Sequence, residues 1–146
     1  MFIHSLGKNV DLRLLEPHHA AELFHCIDAN RAYLQPWLVW VNGTRTVADV
    51  EAFIRTALGQ YARNSGLHAG IFVDGLPIGG VGCHEIDWAH RNTSLGYWVA
   101  EPYQGQGYAT SAVQALIDHA FSVWKLNRVE IRCAVNNDRS RSLAER

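Results

Sequence analysis

The stretch Leu95-Gly96-Tyr97-Trp98-Val99-Ala100-Glu101-Pro102-Tyr103-Gln104-Gly105-Gln106-Gly107-Tyr108-Ala109-Thr110 decides how this chain is read. Its first part closes a strand expected from Thr93 to Ala100. Its last part opens the clearest helix of the sequence, in which Ala109, Ala112, Val113, Leu116, Ile117, Ala120, Phe121 and Trp124 share one face. Between them, Gly105 and Gly107 permit backbone angles closed to other residues and let a ligand approach the main chain. A helix N-terminus presents unpaired N–H groups and a partial positive charge, which suit a phosphate. Glycine spacing alone fits a ligand-free strand-to-helix turn equally well. Two phosphate motifs are excluded on detail. A nucleotide P-loop needs Gly-Lys-Ser/Thr, whereas Gly107 is followed by Tyr108. A dinucleotide fingerprint needs a third small residue where Thr110 stands, and it normally belongs to the first strand–helix unit.

Working outward, Ala69 to Val73 and Ile78 to Ile86 flank Asp74-Gly75, a strong hairpin signal, with Pro77 just inside the second strand. Upstream, Val10, Leu12 and Leu14 alternate with Asp11 and Arg13, as in a strand with one buried face. Pro17 suits the first turn of a helix carrying Ala20, Leu23, Phe24 and Ile27. Thr46 with Asp49 resembles a capping pair opening a second helix, whose apolar face is Val47, Val50, Ile54, Ala57, Leu58 and Tyr61. Asn30 to Val41, with Tyr33, Pro36, Trp37 and Trp40, fits neither periodicity. Downstream, Val129, Ile131 and Cys133 alternate with Glu130 and Arg132. The strands on either side of the clear helix should be parallel, and the preceding hairpins antiparallel. The expected fold class is α/β in the α+β sense, a mixed sheet covered by helices, forming a single domain over 1–146.

The chain of 146 residues is long enough to bury a core, and 48% hydrophobic with 18% charged residues reads as globular. A net charge of −1 without a basic run argues against nucleic-acid binding. Cys26, Cys83 and Cys133 are odd in number and widely spaced, which fits neither a disulfide framework nor a zinc site. No apolar stretch reaches membrane-spanning length, and no secretory leader pattern opens the chain. The expectation is a cytoplasmic protein that binds no metal and no membrane.

The hexamer Gln104-x-x-Gly107-x-Ala109 resembles the Gln/Arg-x-x-Gly-x-Gly/Ala signature of the GCN5-related N-acetyltransferase superfamily. Leu95 to Val99 leading into Glu101-Pro102-Tyr103 resembles the strand before that signature. Asn127-Arg128-Val129-Glu130 and Asn137-x-x-Ser140 resemble the next strand and its loop. Asn30-Arg31, Tyr33-Leu34 and Pro36-Trp37-Leu38 are similar to the Rim-type branch, which acetylates ribosomal-protein N-termini. The resemblance implies acetyl-CoA as acetyl donor. Its pantetheine arm would pair with the backbone of Tyr97, Trp98 and Val99 in a gap between two splayed parallel strands. Its pyrophosphate would rest on N–H groups of Gln104, Gly105, Gln106, Gly107, Tyr108, Ala109 and Thr110, and Asn137 would reach the pantetheine from the opposite wall.

The implied reaction is attack of a neutral amine on the acetyl thioester. Many relatives place a Tyr seven residues after the Asn of the loop; here that position is Ala144. The Rim-type pattern assigns Ser140 instead as hydrogen-bond donor to the leaving thiolate, against a capping role for Ser140 and competition from Ser142. Glu85 is the candidate base, with His84 and Asp87 as alternatives. An α-amine, with a pKa near ~7.7–8.0 against ~10.4 for lysine, makes the smaller demand on a base. His18-His19, His84 and His90 form no metal-ligand spacing. The acceptor implied is a primary amine, a ribosomal-protein N-terminus by resemblance, with polyamines, aminoglycosides or a non-catalytic coenzyme-binding module as rivals. Trp37 and Trp40 are candidates for a homodimer interface. Relatives continue past Leu143-Ala144-Glu145-Arg146 into two more strands, so the expectation is a C-terminally incomplete domain lacking them.

Overall fold

The computed structural model describes residues 3–36 and 38–131; Trp37, Cys133, Asn137, Ser140 and Ser142 lie outside them. Six strands form one sheet in sequential order: β1 (Ile3–Gly7), β2 (Val10–Leu14), β3 (Leu67–Val73), β4 (Leu76–Cys83), β5 (Asn92–Val99) and β6 (Arg128–Ile131). Every neighbouring pair is antiparallel except β5 and β6, which run parallel. Helices α1 (Ala20–Ala29), α2 (Arg31–Leu34) and α3 (Val47–Ala62) precede β3, and α4 (Tyr108–Ser122) joins β5 to β6. The expected mixed sheet and its parallel pair are therefore present. β1 was not expected, because Ile3 to Gly7 is an exposed edge strand without apolar alternation.

Strand alternation divides the apolar residues between two faces. One face packs Leu12, Ala69, Ile71, Val81, Cys83, Leu95 and Val99 against Ala112, Val113 and Leu116 of α4. The other packs Phe72 and Trp98 against Leu23 and Ile27 of α1 and Val50 and Ile54 of α3. The helices start where local chemistry permits. Pro17 opens a short 3-10 turn, Pro17–His19, and α1 proper begins at Ala20. Thr46 and Asp49 close the expected reciprocal cap on α3, Asp49 N donating to Thr46 Oγ1 at 3.2 Å and Thr46 N to Asp49 Oδ2 at 3.0 Å. Val47 and Tyr61 of α3, and Phe121 of α4, are exposed although their spacing placed them on the apolar faces.

The hairpin at Asp74-Gly75 is as its sequence demands, with φ of 52° and 81°. β4 begins at Leu76 and ends at Cys83, earlier than Ile78 to Ile86, and a register shift opposite Pro77 absorbs its missing donor. Glu85 consequently lies in the loop after β4. The segment that resisted periodic reading holds α2 and a 3-10 turn over Val39–Gly43. One side chain ties it down: Arg31 Nη1 donates to Val41 O and Nη2 to Thr44 O, each at 2.7 Å.

α4 depends on its narrow buried face. Leu116→Ala, at a position with 0% exposure, is expected to cost about 2–5 kcal/mol in urea or thermal unfolding. Phe121→Ala on the same helix should cost well under about 1 kcal/mol.

Candidate functional site

β5 delivers the chain to the glycine loop at its C-terminal end. The 3-10 turn Glu101–Tyr103 follows, then Gln104, whose Nε2 donates to Val99 O at 2.8 Å and pins the loop to the end of β5. Asn30 Oδ1, at the end of α1, accepts from Glu101 N at 3.2 Å and ties the loop's approach to the opposite layer. Gly105 and Gly107 have φ of +77° and +81°, where L side chains are strained, and a Cβ at either would meet nothing within 4 Å. These glycines are required by backbone conformation, and the space above them is open. Gly107 is the left-handed N-cap of α4 and supplies no side-chain cap; the first turn of α4 carries no acid. The N–H groups of the first turn of α4 thus have no side-chain cap and the helix dipole behind them, an arrangement that favours an anion. At α3 the same position is filled by Thr46 and Asp49. The residues present fit a pyrophosphate.

Upstream of the loop, Tyr97 and Trp98 are half-buried and Val99 is buried. The described ladder between β5 and β6 pairs Asn92–Leu95 with Arg128–Ile131. Among the described residues, Gly96 to Val99 therefore have no strand on the β6 side. Trp98 lies on the α1–α3 face, where Trp40 meets it edge-on with centroids 6.0 Å apart.

The same face carries glycines in cross-strand register. His68 on β3 pairs with Gly82 on β4, which pairs with Gly96 on β5. A Cβ at Gly82 would collide with the His68 ring, 2.8 Å from Cε1, and one at Gly80 would lie 2.7 Å from Trp98 Nε1. The bare backbone lets both rings lie flat on the sheet. His84 leans over Gly96, with Nε2 3.4 Å from where that residue's Cβ would stand. Phe53 of α3 packs edge-on against His68, and burial, with His84 beside it, lowers the His68 pKa to about 4. Periodicity did not reveal this row, because only strand register brings residues 68, 82, 84 and 96 together.

Glu85 is exposed and lines an open cleft of about 290 Å³ with His84, Asn92, Thr93, Ser94, Arg128 and Glu130. The cleft opens where β5 begins, while the glycine loop follows where β5 ends. Asp87 holds the exposed His90, accepting at 2.9 Å, and its carboxyl is thereby kept below the usual range. His19 is buried and structural, its Nδ1 accepting from Glu16 N at 3.0 Å. No group of three His, Cys, Asp or Glu able to hold a metal occurs among the described residues, and none of their helices is long and apolar enough to cross a membrane.

The acetyltransferase (GNAT) domain family matches residues 9–146. The chain is 36% identical to "Putative ribosomal N-acetyltransferase YdaF" of Bacillus subtilis (strain 168), over 100% of this chain and 80% of that protein. It is 28% identical to the ribosomal-protein-serine acetyltransferase of Escherichia coli (strain K12), over 97% of this chain and 79% of that one. Among solved structures, the RimL ribosomal L7/L12 alpha-N-protein acetyltransferase in complex with coenzyme A superposes with a TM-score of 0.92 at 24% identity, covering 98% of this chain and 81% of that chain.

The half-buried His68 sets a pH dependence. Its folded pKa lies near 4, below the ordinary 6.5. The unfolded chain therefore binds the extra proton first, and stability falls as pH drops from about 6.5 to about 4. Thermal melts across that window should show the loss, at most about 3 kcal/mol from this group. His68→Gln should flatten that part of the curve.

Proposed function

The chain belongs to the acetyltransferase (GNAT) domain family and is an acetyl-CoA-dependent N-acetyltransferase; from that premise we propose that it acetylates a primary amine, the N-terminal α-amine of a ribosomal protein. The observation that carries the coenzyme half is the positive-φ glycine loop set against an uncapped, acid-free helix N-terminus directly after β5. In this reading the N–H groups of Gln104, Gly105, Gln106, Gly107, Tyr108, Ala109 and Thr110 hold the pyrophosphate. The backbone of Tyr97, Trp98 and Val99 orients the pantetheine arm, and Asn137 supports it from the other wall. Ser140 donates a hydrogen bond to the sulfur as it leaves.

The acceptor half rests on chemistry and on the names of the relatives. An α-amine is partly neutral near pH 7, so a weak base suffices, whereas a lysine amine would need a stronger one. Glu85 and Glu130 line the cleft beside the first residues of β5. They would draw a cationic N-terminus in, and Glu85 is the carboxylate available to hold its ammonium. In this reading the acceptor is a ribosomal protein and the reaction is cytoplasmic.

Free-thiol release with a panel of peptide N-termini, a polyamine and an aminoglycoside tests the reading. Turnover with serine-initiated peptides and little with the others is expected. Tight acetyl-CoA binding without thiol release from any amine would identify a binding module instead. Gly107→Val forces a β-branched residue into the left-handed region, at about 1–2 kcal/mol. It should weaken acetyl-CoA about tenfold in a thermal-shift or calorimetric titration. Ser140→Ala should lower kcat roughly 10–100-fold, the worth of a hydrogen bond to a charged group, with acetyl-CoA affinity unchanged.

A further inference from the structure

We propose that His84 accepts the proton from the incoming ammonium, with His68 as its positioning partner; this rests on the acetyl-transfer reading above. The direction of the coenzyme locates the reacting carbon. If the pyrophosphate sits at Gly105–Thr110 and the arm runs back along Val99, Trp98 and Tyr97, the thioester arrives beside Gly96. Gly96 has no side chain to fill that position. His84 Nε2 overhangs that bare position, 3.4 Å from where a Cβ would be. Glu85, next in sequence, lines the same cleft with Asn92, Thr93 and Ser94, but among the described residues only His84 comes within 4 Å of the Gly96 Cβ position. Glu85 can hold the ammonium on the way in, but His84 is the group over the reacting position.

The surroundings suit the role. His68, from β3, lies over Gly82 in the same cross-strand row, packed by Phe53 of α3 and kept uncharged by burial. A neutral imidazole beside His84 leaves room for a proton there without placing two charged rings side by side. The other charged groups around the cleft are Glu85 in the loop after β4, and Arg128 and Glu130 on β6. A neutral imidazole nitrogen can accept a proton and release it to water.

The step balances as follows. His84 Nε2 takes one proton from R–NH3+, leaving R–NH2, and passes it to water through the cleft. The nitrogen lone pair attacks the thioester carbonyl carbon, forming C–N, and the C=O electron pair moves onto oxygen. Collapse breaks C–S, and the second nitrogen proton goes to the departing sulfur to give the free thiol.

The test compares the intact protein with His84→Ala and His68→Gln, using acetyl-CoA and a peptide N-terminus, above pH 6 where His68 is neutral. His84→Ala should lower kcat about 10²–10³-fold while leaving the acetyl-CoA thermal shift unchanged. Added imidazole and its methyl derivatives should restore turnover in proportion to their basicity, which a structural defect would not allow. His68→Gln should lower kcat less and move its acid limb. Turnover by His84→Ala within twofold of the unaltered protein overturns the assignment alone, as does a loss that no imidazole rescues. Absence of turnover by the unaltered protein with any amine overturns the acetyl-transfer reading itself, and this assignment with it.

Discussion

Two parallel strands cannot be joined by a tight turn, and most of this site follows from that constraint. β5 and β6 are the parallel pair of the sheet, so the chain must leave the end of β5, cross one face and return. α4 makes the crossing, and its N-terminus necessarily lies at the C-terminal end of β5. A set of N–H donors without a side-chain cap is thereby set at the end of β5. The loop only has to refrain from capping it. Gly105 and Gly107 turn the chain without a side chain, and no carboxylate occupies the first turn. At α3, where no ligand is needed, Thr46 and Asp49 satisfy the same donors internally.

The opposite face is shaped by the absence of side chains. Gly70, Gly80, Gly82 and Gly96 leave a stripe of backbone on which Phe72, Trp98, His68 and His84 lie. Gly79, in register with Val99, instead lets the neighbouring strand approach, since any Cβ there would strike the Trp98 carbonyl oxygen. The rings are thus located by what the neighbouring strands lack. Such a surface is rigid where its rings are packed, as His68 is against Phe53, and open where β5 meets solvent.

These two halves differ in how much of them could be read before the structure was known. The coenzyme half is local: a strand, a glycine pair and an amphipathic helix are contiguous, so periodicity and turn chemistry expose them directly. Their meaning still required resemblance, since glycine spacing fits a bare turn equally well. The hairpin at Asp74-Gly75 and the cap at Thr46 were legible for the same reason, each being decided within a few residues. The residues that escaped periodic reading are those settled by distant partners. Asn30 to Val41 follows the reach of Arg31 to Val41 and Thr44. β1 exists because β2 offers it an edge. The position of Glu85 depended on where β4 stops, and the row of histidines and glycines on the register of β3, β4 and β5.

The division has a chemical sense. A pyrophosphate and a pantetheine amide present the same groups in every turnover, so in the proposed site backbone groups of the loop and of β5 hold them, and side-chain identity matters little there. A proton must instead be taken from an acceptor whose pKa varies with its class, and backbone amides cannot titrate. The side chains proposed for that work, Glu85 and His84 with His68 behind it, come from the loop after β4 and from β3, not from the glycine loop. In the proposed arrangement the bare backbone of β5 at Gly96 is where the two systems meet. It must carry no side chain that fills the space between thioester and base, yet the strand must stay straight enough to align the arm. Glycine at 96, held in register by Gly82 beside it and followed by the bulky Tyr97 and Trp98, meets both demands.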